Sequence, residues 1–308
     1  MPADVKVAVS DTKTFDAALR LLRGDSADDP TSRDSVAELV PENVIAAGVE
    51  DRVVGAIVWQ AAAGRVGWLW PPVVSRIEGA AVSSDQIGSR LVAAAVAKLA
   101  DAGCSLAQAL LVPGDTRGQD FEANGFVLIA EMIRMERESA LRSDQSLDHG
   151  GMEFVSYEQA SEHDFEKVIE QTYGESLDCP ELDGVRTVTD TLESYKAAGS
   201  FRPDLWLLAR QRGNWVGCVL LSHATAECSC EIQYMGVIPP ARGQQIGRIL
   251  CERALLDARR IGARKLVLSV DSRNRPAIDH YRAMRFIETN RRRVYILMLM
   301  PTGSASRE

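Results

Sequence analysis

The chain has 308 residues, 46% hydrophobic and 25% charged, a balance that excludes fibrous and disordered classes and supplies enough apolar residues for a sizeable core. Its formal net charge of -8 argues against nucleic acid or an anionic membrane surface as the main partner, because both select a broad basic face. No run approaches the roughly 18 to 20 apolar residues of a membrane helix, and residues 1–20 lack the order of a signal peptide, so a cytoplasmic protein with no membrane partner is expected. The six cysteines form no CxxC pair and are read as reduced thiols. Cys228 and Cys230 would share one face of a strand, but histidine is scarce and no metal is expected.

In chain order, residues 5–9 read as a strand and 14–22 as an amphipathic helix. Residues 45–59 alternate around a polar turn and predict a hairpin. Gln86-Ile-Gly-Ser-Arg-Leu91 opens an apolar-periodic helix that stops near Gly103, followed by a strand over 106–112, a short helix at 121–126 and a strand over 127–135. The series then repeats. A strand at 153–157 and a helix at 162–173 precede a second hairpin at 207–221. Gln245-Ile-Gly-Arg-Ile-Leu250 opens a second helix that stops near Gly262, and a strand at 265–270, a short helix at 281–286 and strands over 287–300 close the copy. Phe121-Glu-Ala-Asn-Gly-Phe126 and Tyr281-Arg-Ala-Met-Arg-Phe286 stand about 160 residues apart. The length suits two domains, and the repeat divides it into 1–138 and 152–302, joined by a polar linker at 139–151. The mixed order of strands and helices predicts an α/β fold with a mixed sheet covered by helices.

The segment from Val237 to Arg248 carries the strongest chemical signal. A strand end leads through a turn into a long helix, so the amides from Arg242 to Gly247 (Arg242, Gly243, Gln244, Gln245, Ile246 and Gly247) would face an anion at the positive end of the helix dipole, with Arg242 and Arg248 adding charge. Arg242, Gln245 and Gly247 fall on the fixed positions of Gln/Arg-x-x-Gly-x-Gly/Ala, with Gln245 where glycine is usual. Together with residues 266–271, Asn274, Pro276 and the Tyr281-x-x-x-x-Phe286 pair, this resembles the GNAT superfamily of acetyltransferases over most of residues 152–300.

The resemblance implies two tandem GNAT-like domains, acetyl-CoA as co-substrate and a primary amine, on a small molecule or a peptide, as acceptor. It implies that Met235, Gly236 and Val237 pair with the pantetheine arm, that Asn274 anchors that arm or starts a helix, and that Tyr281 supplies a proton to the CoA sulfur. Glu231 resembles the family's strand glutamate that acts as general base, expected in an apolar cleft that raises its pKa. Tyr173, Glu175 and Asp178 lie in the loop that shapes the acceptor pocket in this fold. The two-copy layout is also similar to that of the mycothiol synthases. In the first copy Ser83 stands where Arg242 does, Asp115 where Asn274 does and Phe121 where Tyr281 does, while Gly88 matches Gly247. That copy is expected to be catalytically silent. The alternative from a different class is an acyl-CoA-binding sensor or interaction module without turnover. A dinucleotide or Walker-type phosphate site is disfavoured, since no Gly-Lys-Ser/Thr follows the turn.

Overall fold

The computed structural model describes residues 5–25, 39–50, 52–75, 83–139, 151–224 and 228–299. Its elements in chain order are β1 (Val5–Val9), α1 (Thr12–Asp25), β2 (Val44–Val49), β3 (Arg52–Ala62), β4 (Val66–Leu69), β5 (Val73–Val74), α2 (Ser84–Asp101), β6 (Leu106–Leu111), α3 (Gly118–Glu122) and β7 (Val127–Glu138). The second series comprises β8 (Met152–Ser156), α4 (Glu162–Tyr173), α5 (Val188–Ala197), β9 (Trp206–Gln211), β10 (Asn214–Ala224), β11 (Ser229–Val237), α6 (Ile246–Arg260), β12 (Lys265–Asp271), α7 (Arg275–Ala283) and β13 (Ile287–Met298). The repeat read from the sequence is therefore present in the same order, apart from β5 and α5, which have no counterpart among the described residues, and the fold is α/β with a mixed sheet in each compact unit.

The units differ from the contiguous copies. One comprises Met1–Ile129 with Arg293–Glu308, the other Ala130–Arg292. The boundaries 1–138 and 152–302 are corrected here by the hydrogen-bond ladders. Residues 132–138 of β7 run antiparallel to β12, from Met132 opposite Asp271 to Glu138 opposite Lys265. Residues 293–298 of β13 run antiparallel to β6 in the same manner, from Arg293 opposite Leu111 to Met298 opposite Leu106. The last strand of each copy thus completes the unit built mainly from the other copy. Alternation tells which face of a strand is buried, not which edge it pairs with, so the sequence could not reveal the exchange. Of the stretch read as a linker, residues 140–150 lie outside the described residues.

In the first unit α1 packs Ala18 and Leu22 on one face of the sheet, against Val44, Ala46, Ala56 and Val58. Helix α2 covers the other face through Ile87, Leu91, Val92, Ala95 and Leu99.

In the second unit the strand order is β8-β9-β10-β11-β12 and then β7, with only β11 and β12 parallel. Alternate residues of β9 and β10 point to opposite faces. Trp206, Leu208, Cys218 and Leu220 meet Phe165, Val168, Ile169 and Leu192 of α4 and α5. Leu207, Ala209, Val219 and Leu221 meet the other layer, where α6 buries Ile246, Leu250, Cys251, Ala254, Leu255 and Ala258 at helical spacing. Phe165 and Trp206 are almost fully buried, and burying a side chain of this size contributes about 1.5–3 kcal/mol. This two-sided packing holds β11 and the start of α6 in a fixed relation, on which the site depends.

Candidate active site

Strands β11 and β12 pair in parallel for only four residues, from Ser229 opposite Lys265 to Ile232 opposite Leu268. Beyond Ile232 they part, while β11 stays paired with β10 as far as Val237 opposite Gly217. A bulge between Leu220 and Leu221 leaves Gln233 as the extra residue of β11 at the point of parting. Although β11 lies inside the sheet, Gln233 to Val237 are all partly exposed, because one edge has lost its neighbour. The Ile238 N–H donates to the Val216 carbonyl at 3.1 Å, so the alternation of the strand turns the backbone groups of Val237 the opposite way, into the gap. The Val237 carbonyl is met there by Arg242 Nε at 3.1 Å.

The gap opens into a cleft of about 890 Å³ whose lining includes Glu231, Tyr234, Met235, Gly236, Val237, Arg242, Gly243, Gln245, Ile246, Gly247, Arg248, Asn274 and Tyr281. Tyr173, Glu175 and Asp178 line it as well. The structure therefore gathers the residues singled out from the sequence, with one exception. Gln244 is exposed, is absent from the lining and donates its amide to the Pro240 carbonyl at 3.0 Å.

Helix α6 begins without a side-chain cap. Its N-cap residue, Gln245, lies in the left-handed region at φ 66 and ψ 6 and makes no side-chain capping bond. The N–H groups of the first turn, at Ile246 and Gly247, consequently have no carbonyl of their own helix to meet. The left-handed conformation explains why the related signature has glycine here, and Gln245 adopts it at a cost of about 1–2 kcal/mol. Nothing lies within 4 Å of where a Cβ would stand on Gly243 or Gly247, so the space before the helix is open.

Arg242 differs from the expectation of a free charge beside an anion. Besides the Val237 carbonyl, its guanidinium donates to the carbonyls of Thr172 at 3.0 Å, Gly174 at 2.7 Å and Glu175 at 3.2 Å. Three of these carbonyls belong to the C-terminal turn of α4 and the residues after it, where a cation satisfies both the orphan acceptors and the dipole. Arg242 thus ties the turn before α6 to the loop that follows α4. Glycine at 236 is required by the close approach of α4, since a Cβ there would stand 2.7 Å from the Thr172 side chain.

The far end of that loop is fastened to the junction of β12 and α7. Asp178 accepts the Asp271 N–H at 2.8 Å, and the Cys179 N–H donates to the Asp271 carboxylate at 3.2 Å. Arg273 makes paired bonds to Glu181 at 2.6 and 2.8 Å and to the fully buried Asp271 carboxylate. Asn274 caps α7 by accepting the Ala277 N–H at 3.2 Å, which is the helix-start role, and its side chain also bonds Asp178. Burial pushes the Asp178 carboxyl above its ordinary range, against the pull of the Asp271 N–H and the Asn274 amide. Asp178 is exposed to solvent but surrounded by protein on most sides, as befits a group on the wall of a cleft.

Tyr281 projects from α7, is 8% exposed and packs its ring 5.7 Å from that of Phe286. Burial drives its phenol far above the ordinary value, so it remains a proton donor throughout the neutral range. Neighbouring His280 is pushed below its ordinary value by burial, against a hydrogen bond with the Gly247 backbone. Glu231 is not in the apolar setting expected of it. It is about a third exposed and stands 3.6 Å from the guanidinium of Arg134. The lining also holds Met132, Thr172, Leu182 and Tyr195, which sequence reasoning missed. Among the described residues no group of three or more His, Cys, Asp or Glu could hold a metal, and no helix is long and apolar enough to cross a membrane.

The first unit fills the equivalent place with its own atoms. At the start of α2, Ser83 accepts the Gln86 N–H and the Gln86 side chain accepts the Ser83 N–H, a complete capping box. Asp120 crowds the helix start, 2.4 Å from where a Cβ would stand on Gly88. Its pKa is raised to about 6 by burial and by Asp85. Phe121 is fully buried, and Asp115 is paired with Arg117 at 2.7 Å. Because Asp120 titrates higher when folded than unfolded, the folded state binds the extra proton, and stability falls as pH rises from about 4 to about 6. Asp120→Asn is expected to raise the melting temperature more at pH 7.5 than at pH 4; a gain that does not change with pH would contradict this.

Residues 170–286 match the model of the acetyltransferase (GNAT) family. An IAA acetyltransferase of Azospirillum brasilense is 38% identical over 88 residues, 28% of this chain and 58% of that protein, so the match spans little more than half of the relative's length. Among solved structures, a GCN5-related N-acetyltransferase from Sphaerobacter thermophilus aligns with TM-score 0.61 at 18% identity, covering 96% of each chain. A tandem GNAT protein from the clavulanic acid biosynthesis pathway aligns with TM-score 0.56 at 16% identity, covering 97% of this chain and all of that one. At these identities the two structures attest the fold, which is that of a tandem protein along nearly the whole chain. The parted strands, the uncapped helix and the tyrosine all fall within residues 170–286, and it is this segment of the chain that matches the GNAT acetyltransferase family.

Proposed function

We propose that the chain transfers an acetyl group from acetyl-CoA to a primary amine, in the second unit, while the first unit binds no CoA. The observation that carries this reading is the convergence on one cleft of two backbone devices, the open edge of β11 and the uncapped start of α6, with the Tyr281 phenol beside them. The residues suit the co-substrate. The amides from Gly243 to Gly247 would hold its pyrophosphate, as helix N-termini hold anions generally. The edge from Met235 to Val237 would take the pantetheine arm as an added strand, and the Val237 N–H would polarise the thioester carbonyl. Arg242 contributes indirectly, by fixing the turn that presents these amides.

The acceptor arrives as an ammonium and loses one proton towards the carboxylates at its end of the cleft, Glu231 and Asp178. The nitrogen lone pair forms the new C–N bond as the C–S bond breaks. Tyr281 protonates the departing sulfur and is reprotonated from the nitrogen, so that one proton in all leaves to solvent. Bound acetyl-CoA supplies the activated acyl group; the chain supplies orientation, the amide dipole and the proton at sulfur.

Two measurements test this together. Calorimetric titration should give one acetyl-CoA per chain, and free thiol should appear only when an amine is added. Two sites per chain would overturn the reading of the first unit. Binding with no thiol released across a broad set of amines would favour a sensor that does not turn over.

A further inference from the structure

The acceptor end of the cleft has a composition of its own. Tyr173, Tyr195 and Tyr234 all line it and pack as a set, Tyr195 stacked on Tyr234 at 5.8 Å and 24° and Tyr173 edge-on to Tyr234 at 5.8 Å and 84°. The Tyr234 hydroxyl is bonded to Thr172 Oγ1 at 2.6 Å, which locks the central ring. Burial raises all three phenols above their ordinary values, Tyr173 to about 12, so this wall carries no charge near neutrality. Met132, Leu182 and the exposed Leu177 extend the apolar surface.

The formal charges in the lining are divided along it. Its arginines stand at the start of α6, Arg242 in the turn before it, where it is bound to carbonyls, and Arg248 in its first turn. Of the acidic residues, Glu175 belongs to the loop that Arg242 holds, while Asp178 lies at the far end of that loop and Glu231 on β11, where it is engaged with Arg134. Asp178 lines the same cleft as the three tyrosines and Tyr281, held in place by the Asp271 N–H at 2.8 Å.

We propose that the acceptor is a primary amine borne on an aromatic body, its ring lying against the wall of Tyr173, Tyr234 and Tyr195 and its ammonium on Asp178. The inference rests on the acetyl-transfer reading above. A flat ring adds stacking and area burial against rigid phenols, and a single ammonium finds one carboxylate with tyrosine faces near it. A polyamine or aminosugar would leave further cationic or hydroxyl groups against apolar side chains without partners, a costly arrangement.

The test is thiol release from acetyl-CoA by the full chain with 2-phenylethylamine, butylamine, glucosamine and spermidine. Burying the ring should favour 2-phenylethylamine over butylamine in kcat/KM by on the order of thirtyfold. Tyr195→Ala should erase most of that ratio with little change in KM for acetyl-CoA, whereas Tyr195→Phe should retain it. Asp178→Asn should raise the KM of every amine. A higher kcat/KM for glucosamine or spermidine than for 2-phenylethylamine overturns the inference but leaves the transferase standing. So does a Tyr195→Ala variant that slows every amine equally, which is what a merely structural tyrosine would do. Turnover of none of the four by a protein that binds acetyl-CoA overturns the transferase reading and this inference together.

Discussion

Tyr281→Phe is expected to lower kcat by about two to three orders of magnitude, the usual scale of a lost general acid, with KM for acetyl-CoA changed by no more than about twofold. The substitution removes one hydroxyl and leaves the ring against Phe286. The first unit shows that phenylalanine is tolerated at this place in the repeat, since Phe121 is fully buried there with its ring 5.2 Å from Phe126. Folding should therefore survive, and a thermal melt within a few degrees of wild type would establish that. Steady-state kinetics would then read the chemistry alone. A variant with wild-type kcat would mean that the departing thiolate takes its proton from water, and that the buried phenol serves packing only.

Gly247→Ala should separate affinity from stability. Alanine exceeds glycine in helix propensity by about 1 kcal/mol, and the new Cβ would meet nothing within 4 Å in the free protein. The melting temperature should hold or rise. Yet the same methyl would stand in the space before α6 where the pyrophosphate must approach, so KM for acetyl-CoA should increase by about tenfold or more, equivalent to about 1.4 kcal/mol. Gly88→Ala in the first unit should do the reverse, driving a Cβ into Asp120 and lowering the melting temperature without touching KM. If Gly247→Ala binds acetyl-CoA normally, the amides of α6 are not where the phosphates rest.

What could be read from the sequence was whatever is encoded locally. The two hairpins, the helices opened by Gln86 and Gln245, and the glycine-containing turn each depend on neighbouring residues, and each is present. Most of the cleft was legible for the same reason, since Met235 to Val237 and Gln245 to Gly247 line it from a strand end and a helix start that the local sequence sets. The partners of Arg242 at Thr172, Gly174 and Glu175 were not legible, because they are about 70 residues away and are carbonyls, which leave no trace in side-chain type. Tyr195 was not singled out, and the face that Tyr234 takes was hidden for a related reason. Tyr234 comes to the acceptor side only after the bulge at Gln233 changes the phase of the strand, and a period-two reading cannot anticipate an extra residue. Glu231 was recognised by type and place, but its neighbour Arg134 comes from the exchanged strand and was invisible beside it.

The exchange of final strands also bears on how the chain comes into being. The unit that starts at the amino terminus lacks the partner of β6 until residues 293–298 have been made, so the part synthesised first is completed last. The second unit meets no such delay, because 132–138 are already waiting when β12 emerges. During translation the edge of β6 stays open for most of the chain's synthesis, at about 5–20 residues per second, and open edges invite foreign strands. A gene cut between the two copies would yield two fragments that each carry the other's closing strand. Neither half is self-sufficient once the strands have crossed.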